Sequence, residues 1–215
     1  MTVDRMIELP DGTRLGAFIE GEPDAGTIIF AHGSGSSRHS RRNQHVASLL
    51  QHAGMRTILM DLLTQEEEKV DVRTREHRFD IGLLATRVAG AIDWWKSENP
   101  DSPQGSVGLF GASTGAAAAL IAATQRREEV GAVVSRGGRP DLAAEALGSV
   151  EAPTLLVVGG RDTQVIELNE SAQSHLECDN RLEIVPGASH LFEEPGALDR
   201  VAELAAKWFA EHLQP

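Results

Sequence analysis

Apolar residues along the chain form short continuous runs, and longer amphipathic stretches separate these runs. A continuous apolar run of about four to eight residues is typical of a strand that is buried on both faces of a sheet. The stretches between the runs have helical period, the clearest from about Arg41 to His52 and another ending before Pro100. The predicted buried strands are TIIFA (27–31), RTILMDLL (56–63), SVGLF (106–110), GAVVS (131–135), PTLLVVGG (153–160) and RLEIV (181–185).

The first twenty residues follow a different pattern. Segments 2–9 and 12–20 alternate apolar and polar residues, and Pro10-Asp11-Gly12 between them is a turn signal, which predicts an antiparallel hairpin. We therefore predict one α/β domain over residues 1–215. It has about eight mostly parallel strands, helices on both faces of the sheet, and no large lid.

Composition narrows the class of protein. Hydrophobic residues make up 41% of the chain, yet no apolar run approaches the roughly 20 residues that span a bilayer. The first residues lack the basic start and apolar stretch of a signal peptide, and the single Cys178 excludes an intramolecular disulfide, so we expect a cytoplasmic protein. The net charge of −12 disfavours nucleic acid and anionic membranes as partners, because both require a basic surface.

The segment GLFGASTG (108–115) places Ser113 between two glycines, after a predicted strand and before an alanine-rich helix. Gly-x-Ser-x-Gly at such a turn exposes the serine hydroxyl at the carboxyl edge of the sheet. The start of the helix also offers N–H groups where an oxyanion would form. We interpret Ser113 as a candidate nucleophile. The alternative is a tight turn in a nucleotide-binding or purely structural α/β protein.

A serine nucleophile needs a histidine base and a carboxylate that orients this base. In this strand–helix order, the acid follows a later strand and the histidine follows the last one. Asp162 and His190 occupy those places, which predicts the triad Ser113, Asp162 and His190. Taken singly, Asp162 is better explained as an N-cap of the next helix, and His190 as a structural loop histidine. The order of the three residues together favours the triad.

Four other polar residues near this edge of the sheet have simpler explanations. We expect Glu193 and Glu194 to form a solvated start of the last helix. Asp61 precedes the serine in the chain, so we interpret it as a positioning or structural residue. We expect His32 to form hydrogen bonds that shape the loop after the third strand.

That loop, HGSGSS (32–37), is the predicted second half of an oxyanion hole. A tetrahedral intermediate needs two N–H donors, which we assign to the backbone of Thr114 and of Ser34, with Gly35 beside the substrate. The alternative is a phosphate-binding loop, but the third glycine of a dinucleotide fingerprint is missing and no Gly-Lys-Ser/Thr occurs in the chain. The sequence also lacks HExxH and paired histidine spacings, so we predict no metal site.

Five segments together resemble the dienelactone hydrolase-like group of small, lidless α/β-hydrolases. They are FAHGSGSSRHS (30–40), DLLTQEEE (61–68), GLFGASTGAAAAL (108–120), VVGGRDTQV (157–165) and GASHLFEEPG (187–196). The resemblance extends over the whole chain and implies hydrolysis of an ester or related acyl bond without a metal or organic cofactor. Some relatives of this type are attached to phosphoribosyltransferase domains. Dienelactone hydrolases proper carry cysteine at the nucleophile position, where this chain has Ser113, so simple small esters are the expected substrates.

The predicted function is therefore a serine carboxylesterase that acts on a small-molecule ester through an acyl-enzyme. An acyltransferase or a thioesterase would use the same triad, and a non-catalytic binding protein of this fold is the alternative from another class. The missing lid and the low aromatic content of 4% favour short acyl chains.

Arginine is unusually common beside the predicted site. The chain has 17 Arg and 3 Lys, and nine of the arginines follow the carboxyl ends of predicted parallel strands, where such sheets bind ligands. We hypothesise that Arg38, Arg136 or Arg139 holds an anionic group of the substrate, since a guanidinium binds carboxylate or phosphate in bidentate fashion. The alternative is that these arginines pair with nearby acids and hold loops together; such acids are Asp71, Glu76, Asp80 and Asp141.

Overall fold

A computed structural model describes residues 3–213, and its eight strands form one sheet in the order β1-β2-β4-β3-β5-β6-β7-β8. The strands are β1 Val3–Glu8, β2 Arg14–Glu20, β3 Thr27–Ala31, β4 Arg56–Met60, β5 Val107–Ala112, β6 Val130–Arg136, β7 Thr154–Gly159 and β8 Asn180–Val185. The helices are α1 Arg41–His52, α2 Gln65–Thr74, α3 Ile81–Glu98, α4 Thr114–Gln125, α5 Ala144–Leu147 (after a 3₁₀ turn Pro140–Ala143), α6 Thr163–Gln173 and α7 Ala197–His212.

The predicted opening hairpin is confirmed. Strands β1 and β2 pair antiparallel from Val3 opposite Ile19 to Glu8 opposite Arg14, and Leu9 and Thr13 close the turn through a backbone hydrogen bond of 2.8 Å. Strand β2 also pairs antiparallel with β4, whereas the remaining pairs are parallel, so β2 alone runs against the other described strands. The carboxyl ends of the parallel strands therefore lie along one edge of the sheet.

Helices cover both faces of the sheet. Helices α3 to α6 pack on one face, and α1 and α7 pack on the other. Strands β3, β5 and β7 lie between the two layers and are buried along their whole length, which explains their continuous apolar sequences. No helix in residues 3–213 has both the length and the apolar composition that crossing a bilayer requires.

The polar stretch 64–78 contains a helix that hydrophobic periodicity did not predict. Helix α2 begins with a capping box, in which Thr64 Oγ1 accepts from Glu67 N (3.2 Å) and the Glu67 carboxylate accepts from Thr64 N (2.7 Å). Glu67 also forms an ion pair of 2.8 Å with Arg87 in α3. The Glu-rich run is thus only partly solvated, because one of its members fixes the start of a helix.

The start of α4 lies unusually close to the end of β3, and this contact predicts opposite effects for two glycine-to-alanine substitutions. At Gly115 a Cβ atom would lie 2.3 Å from Ala31 O and 2.5 Å from His32 O. Because backbone must then move, Gly115→Ala should lower the free energy of unfolding by about 1–3 kcal/mol. The exposed Gly82 in α3 is the control, since its Cβ would meet only Asp80 Oδ1 at 3.5 Å.

Gly82→Ala should raise the free energy of unfolding by about 0.5 kcal/mol, because alanine loses less conformational entropy in a helix. Urea unfolding of the two variants and the parent protein measures both changes. A Gly115→Ala protein as stable as the parent would contradict the close packing of α4 on β3.

Candidate active site

Ser113 forms the turn between β5 and α4. Its backbone has φ 51° and ψ −121°, a conformation that residues with side chains rarely adopt. Two backbone hydrogen bonds to the end of β6 and the turn that follows it hold Ser113 there, from Ser113 N to Arg136 O (3.2 Å) and from Arg139 N to Ser113 O (3.1 Å). Ser113 stands at the N-cap position of α4, yet its side chain does not cap the helix. The hydroxyl is thus available for another partner.

Asp162 and His190 meet at the ends of neighbouring strands. Asp162 follows β7, His190 follows β8, and His190 Nδ1 lies 2.6 Å from Asp162 Oδ2. Asp162 also occupies the N-cap position of its helix, α6, without a side-chain capping bond. The Asp162 carboxylate therefore binds the imidazole and does not cap α6. A proton on Nδ1 leaves Nε2 unprotonated, as a general base requires.

Ser113 and His190 line the same cavity, which has a volume of about 170 Å³. No hydrogen bond joins these two described side chains; in unliganded enzymes such contacts are often long and tighten with substrate. The other lining residues are Gly33, Ser34, Ser36, Ser40, Arg42, Asn43, Ala112, Arg136 and Leu191.

The loop after β3 passes directly over Ser113. At Gly33 a Cβ atom would lie 3.1 Å from Ser113 Cβ and 3.2 Å from Ala112 O, so a side chain there would push the loop outward. Within residues 3–213, the backbone N–H groups of Ser34 and Thr114 donate to no protein acceptor. Both groups are thus free to bind a substrate oxygen. Gly35, with φ 68°, lies outside this cavity and next to Arg78.

His32 fixes the base of this loop. Its Nδ1 donates to Gly33 O (2.9 Å), and its Nε2 accepts from Leu62 N (3.1 Å). Burial lowers the pKa of His32, so the ring is neutral in the tautomer that these two bonds require. The loop-shaping interpretation of His32 therefore agrees with the structure, and His32 joins the loop after β3 to the loop after β4.

Two of the three arginines predicted to bind substrate have carboxylate partners. Arg38 forms an ion pair with Asp61, whose other oxygen accepts from Arg38 N at 2.9 Å, so Asp61 has the structural role expected of it. Arg139 binds Asp141 in bidentate fashion at 2.8 and 2.7 Å. For Arg139 the structure gives the pairing with Asp141 that the alternative named, whereas Asp61, the partner of Arg38, was not among the acids named there.

The third arginine, Arg136, lines the cavity. Its side chain is 8% exposed, and its Nη1 atom is buried without a hydrogen-bond partner among the described residues. Burial, with a smaller contribution from the positive charge of Arg42, lowers the pKa of Arg136 to about 10. The guanidinium is therefore still protonated at neutral pH.

Glu194 holds the loop that carries His190, a role that the sequence interpretation missed. The expected helix start is wrong here, since α7 begins at Ala197. The Glu194 carboxylate accepts from Ser189 N (2.9 Å) and pairs with Arg161, the neighbour of Asp162. The dipeptide Pro195-Gly196 is a turn signal and could have indicated that the acids lie in a turn.

Comparison with known proteins identifies the family. Residues 24–212 match the profile of a family described as "Alpha/beta hydrolase domain". The chain belongs to this family. The structure of a dienelactone hydrolase from Anabaena variabilis has a TM-score of 0.93 and 54% identity, over 100% of this chain and 99% of that one. The predicted α/β-hydrolase fold and the dienelactone hydrolase-like resemblance are thus confirmed.

Two further comparisons are less direct. Est1E from Butyrivibrio proteoclasticus superimposes with a TM-score of 0.79 over 97% of this α/β hydrolase and 98% of its own chain, but at 16% identity it supports the fold alone. Two Mycobacterium tuberculosis proteins, each named "Putative phosphoribosyl transferase", are 57% identical over 192 residues. The alignment covers 89% of this chain and 42% of each relative, so the chain spans less than half the length of these relatives.

The contacts of Glu194 predict how acid affects the stability of this hydrolase. The hydrogen bond from Ser189 N is the main cause that lowers its pKa from 4.5 to about 2. The ionised carboxylate therefore stabilises the fold fully above pH 4.5, and this contribution is lost as the pH falls towards 2. Glu194→Gln should lower the free energy of unfolding most near neutral pH and progressively less below pH 4.5.

Urea unfolding between about pH 7 and pH 3 measures this dependence. Glu193→Gln is the matched control, because its exposed carboxylate contacts only Arg42 among the described residues, at 3.4 Å. A destabilisation by Glu194→Gln that is the same at every pH would contradict the lowered pKa.

Proposed function

We propose that this α/β hydrolase is a serine esterase that cleaves small carboxylic esters through an acyl-enzyme on Ser113. The observation that carries the proposal is the 2.6 Å contact between His190 and Asp162, beside a cavity that Ser113 and His190 both line. The three residues come from three loops at the carboxyl edge of the sheet, in the order expected for this fold.

The proposed reaction has two halves with the same proton route. Ser113 Oγ attacks the ester carbonyl carbon while His190 Nε2 takes the hydroxyl proton, and the Asp162 carboxylate stabilises the imidazolium. The N–H groups of Ser34 and Thr114 bind the oxyanion. His190 then donates the proton to the departing alcohol, and a water molecule attacks the acyl-enzyme by the same route to release the acid and restore Ser113.

Two features support a small ester as the substrate. The cavity of about 170 Å³ has the volume of about six liquid water molecules, which suits a short acyl group. Within residues 3–213, the loops at this edge of the sheet contain no helical lid that would cover a long acyl chain of a substrate. The mycobacterial relatives carry the name of a transferase, but this chain aligns with 42% of their length, so our proposal includes no phosphoribosyl transfer.

Substitution of the proposed triad should remove turnover and preserve the fold. Ser113→Ala should lower kcat/KM for p-nitrophenyl acetate by about 10³-fold or more and abolish labelling by a fluorophosphonate. Asp162→Asn should cause a comparable loss, because an amide favours the wrong imidazole tautomer. Glu193→Gln, which removes an exposed carboxylate three residues after His190, should retain activity.

Circular dichroism checks that each variant is folded. Retention of more than a tenth of the parent activity by Ser113→Ala would show that the nucleophile has been misassigned. A folded parent protein that neither reacts with the fluorophosphonate nor hydrolyses any ester would instead be a binding protein of this fold.

The cavity volume also predicts the acyl-chain preference. Acetyl and butyryl p-nitrophenyl esters should have a kcat/KM at least about tenfold higher than the octanoyl ester, because forcing extra methylene groups into so small a cavity costs about 1–3 kcal/mol. Initial rates at substrate concentrations below micelle formation provide the measurement. A rate that rises steadily with chain length would contradict binding of the acyl group in this cavity.

A further inference from the structure

One wall of the cavity carries a cation, Arg136, that has no counter-ion within residues 3–213. Arg136 is 8% exposed, and its Nη1 atom has no hydrogen-bond partner within residues 3–213. A guanidinium that is removed from water without an acceptor is unfavourable unless an anion reaches it. None of the eleven described residues that line the cavity is Asp or Glu.

The first turn of α1 lies along the same cavity and adds to its positive potential. Ser40 caps this helix by accepting from Asn43 N at 3.3 Å. The N–H groups of Arg41 and Arg42 donate to no acceptor in the described part of the chain, and the first turn contains no acidic residue. Free N–H groups and the helix dipole make such a helix start favourable for anions.

Two further side chains at this end of the cavity have unsatisfied polar atoms. Asn43 is 2% exposed, and its Oδ1 atom is buried without a partner within residues 3–213. Arg42 reaches Glu193 at 3.4 Å near the surface, but its buried Nε atom likewise has no partner there. Arg42 therefore adds a second, incompletely paired cation to this end of the cavity, whereas the Asn43 carboxamide oxygen is an acceptor and would not bind an anion.

We propose that Arg136, Arg42 and the start of α1 form a subsite for an anionic group of the ester substrate, a carboxylate or a phosphate. The subsite belongs to the cavity of the proposed esterase, so its role in catalysis rests on the function proposed above. Arg38 and Arg139 are not part of it, because Asp61 and Asp141 already bind them.

The position of Arg136 relates the anion to the reacting bond. Arg136 pairs with Ala112 across β5 and β6, which places it one strand away from Ser113. Neighbouring strands are about 4.8 Å apart. Because Arg136 and Ser113 also line the same cavity of about 170 Å³, one small molecule can place its anionic group at Arg136 and its scissile carbonyl at Ser113. Binding of the anion fixes the carbonyl relative to Ser113 Oγ.

Matched pairs of esters test the subsite. The carboxylate pair is monomethyl glutarate and dimethyl glutarate, and the phosphate pair is 3-acetoxypropyl phosphate and propyl acetate, with hydrolysis followed by proton release. In one pair, Arg136→Met should lower kcat/KM for the anionic ester about ten- to a hundredfold more than for the neutral ester. The pair that shows this selectivity identifies the anion. Arg136→Lys, which keeps the charge without the planar fork, should show a smaller selective loss.

Arg139→Met is the matched control, because Arg139 is bound to Asp141 outside the cavity, and it should change both members of each pair equally. Equal losses on anionic and neutral esters in both pairs, for both Arg136 variants, would overturn the proposal.

A binding measurement separates this proposal from the proposed function. Calorimetric titration of the intact protein with inorganic phosphate and with glutarate requires no turnover. One of the two anions should bind at least about tenfold more weakly to Arg136→Met than to the parent, and Ser113→Ala should retain the binding. Anion binding through Arg136 without ester hydrolysis would refute the esterase and support the subsite. Ester hydrolysis without anion binding or charge selectivity would support the esterase and refute the subsite.

Discussion

The backbone turn at Ser113 is the constraint on which the rest of the site depends. A residue with a side chain at φ 51° costs about 1–3 kcal/mol, which neighbouring contacts must offset. Those contacts are the hydrogen bonds to the end of β6 and the turn that follows it, and the close packing of Gly115 on the end of β3. They draw three strand ends together. The same contacts place the loop after β3 over the serine and place Arg136 beside it. The contacts that hold Ser113 in its strained backbone conformation therefore also shape the cavity.

Two residues of the proposed triad stand at helix N-cap positions and leave their helices uncapped. Elsewhere Ser40, Thr64 and Asp80 do cap their helices through side-chain oxygens. A missing cap costs about 1 kcal/mol, and it leaves free both a side chain and the first N–H groups of the helix. At α4 the side chain left free is the Ser113 hydroxyl, and at α6 it is the carboxylate that His190 binds. Local stability is thus lower at the positions where the proposed chemistry needs unpaired groups.

The sequence predicted the strands and helices that have a regular hydrophobic pattern. It did not predict several contacts between residues that are far apart in the chain. Apolar runs predicted where strands β3 to β8 lie along the chain, and helix α1 has the predicted bounds, because burial on a sheet or a helix face has a regular period. Helix α2 has too few apolar residues for that signal, and only its capping box indicates it. Asp141, two positions from Arg139, was among the acids expected to bind these arginines, but the partner of Arg38 could not be predicted, since it is an aspartate 23 positions away. The predicted β6 ended at residue 135, whereas the strand extends to Arg136, and this position in the sheet was not expected for an arginine that is buried.

The unpaired state of Arg136 is informative because the chain offers so many partners. It has 32 acidic residues and a net charge of −12, and its other well-buried arginine, Arg87, has two carboxylate partners. Burial lowers the pKa of Arg136 but leaves it protonated at neutral pH, so the fold retains a desolvated cation. An arginine with a purely structural role gains stability from a carboxylate partner, whereas one that binds a substrate anion must keep its donors free. The overall negative charge would repel an anionic substrate at long range, so selection of such a substrate must come from short-range contacts inside the cavity rather than from electrostatic steering.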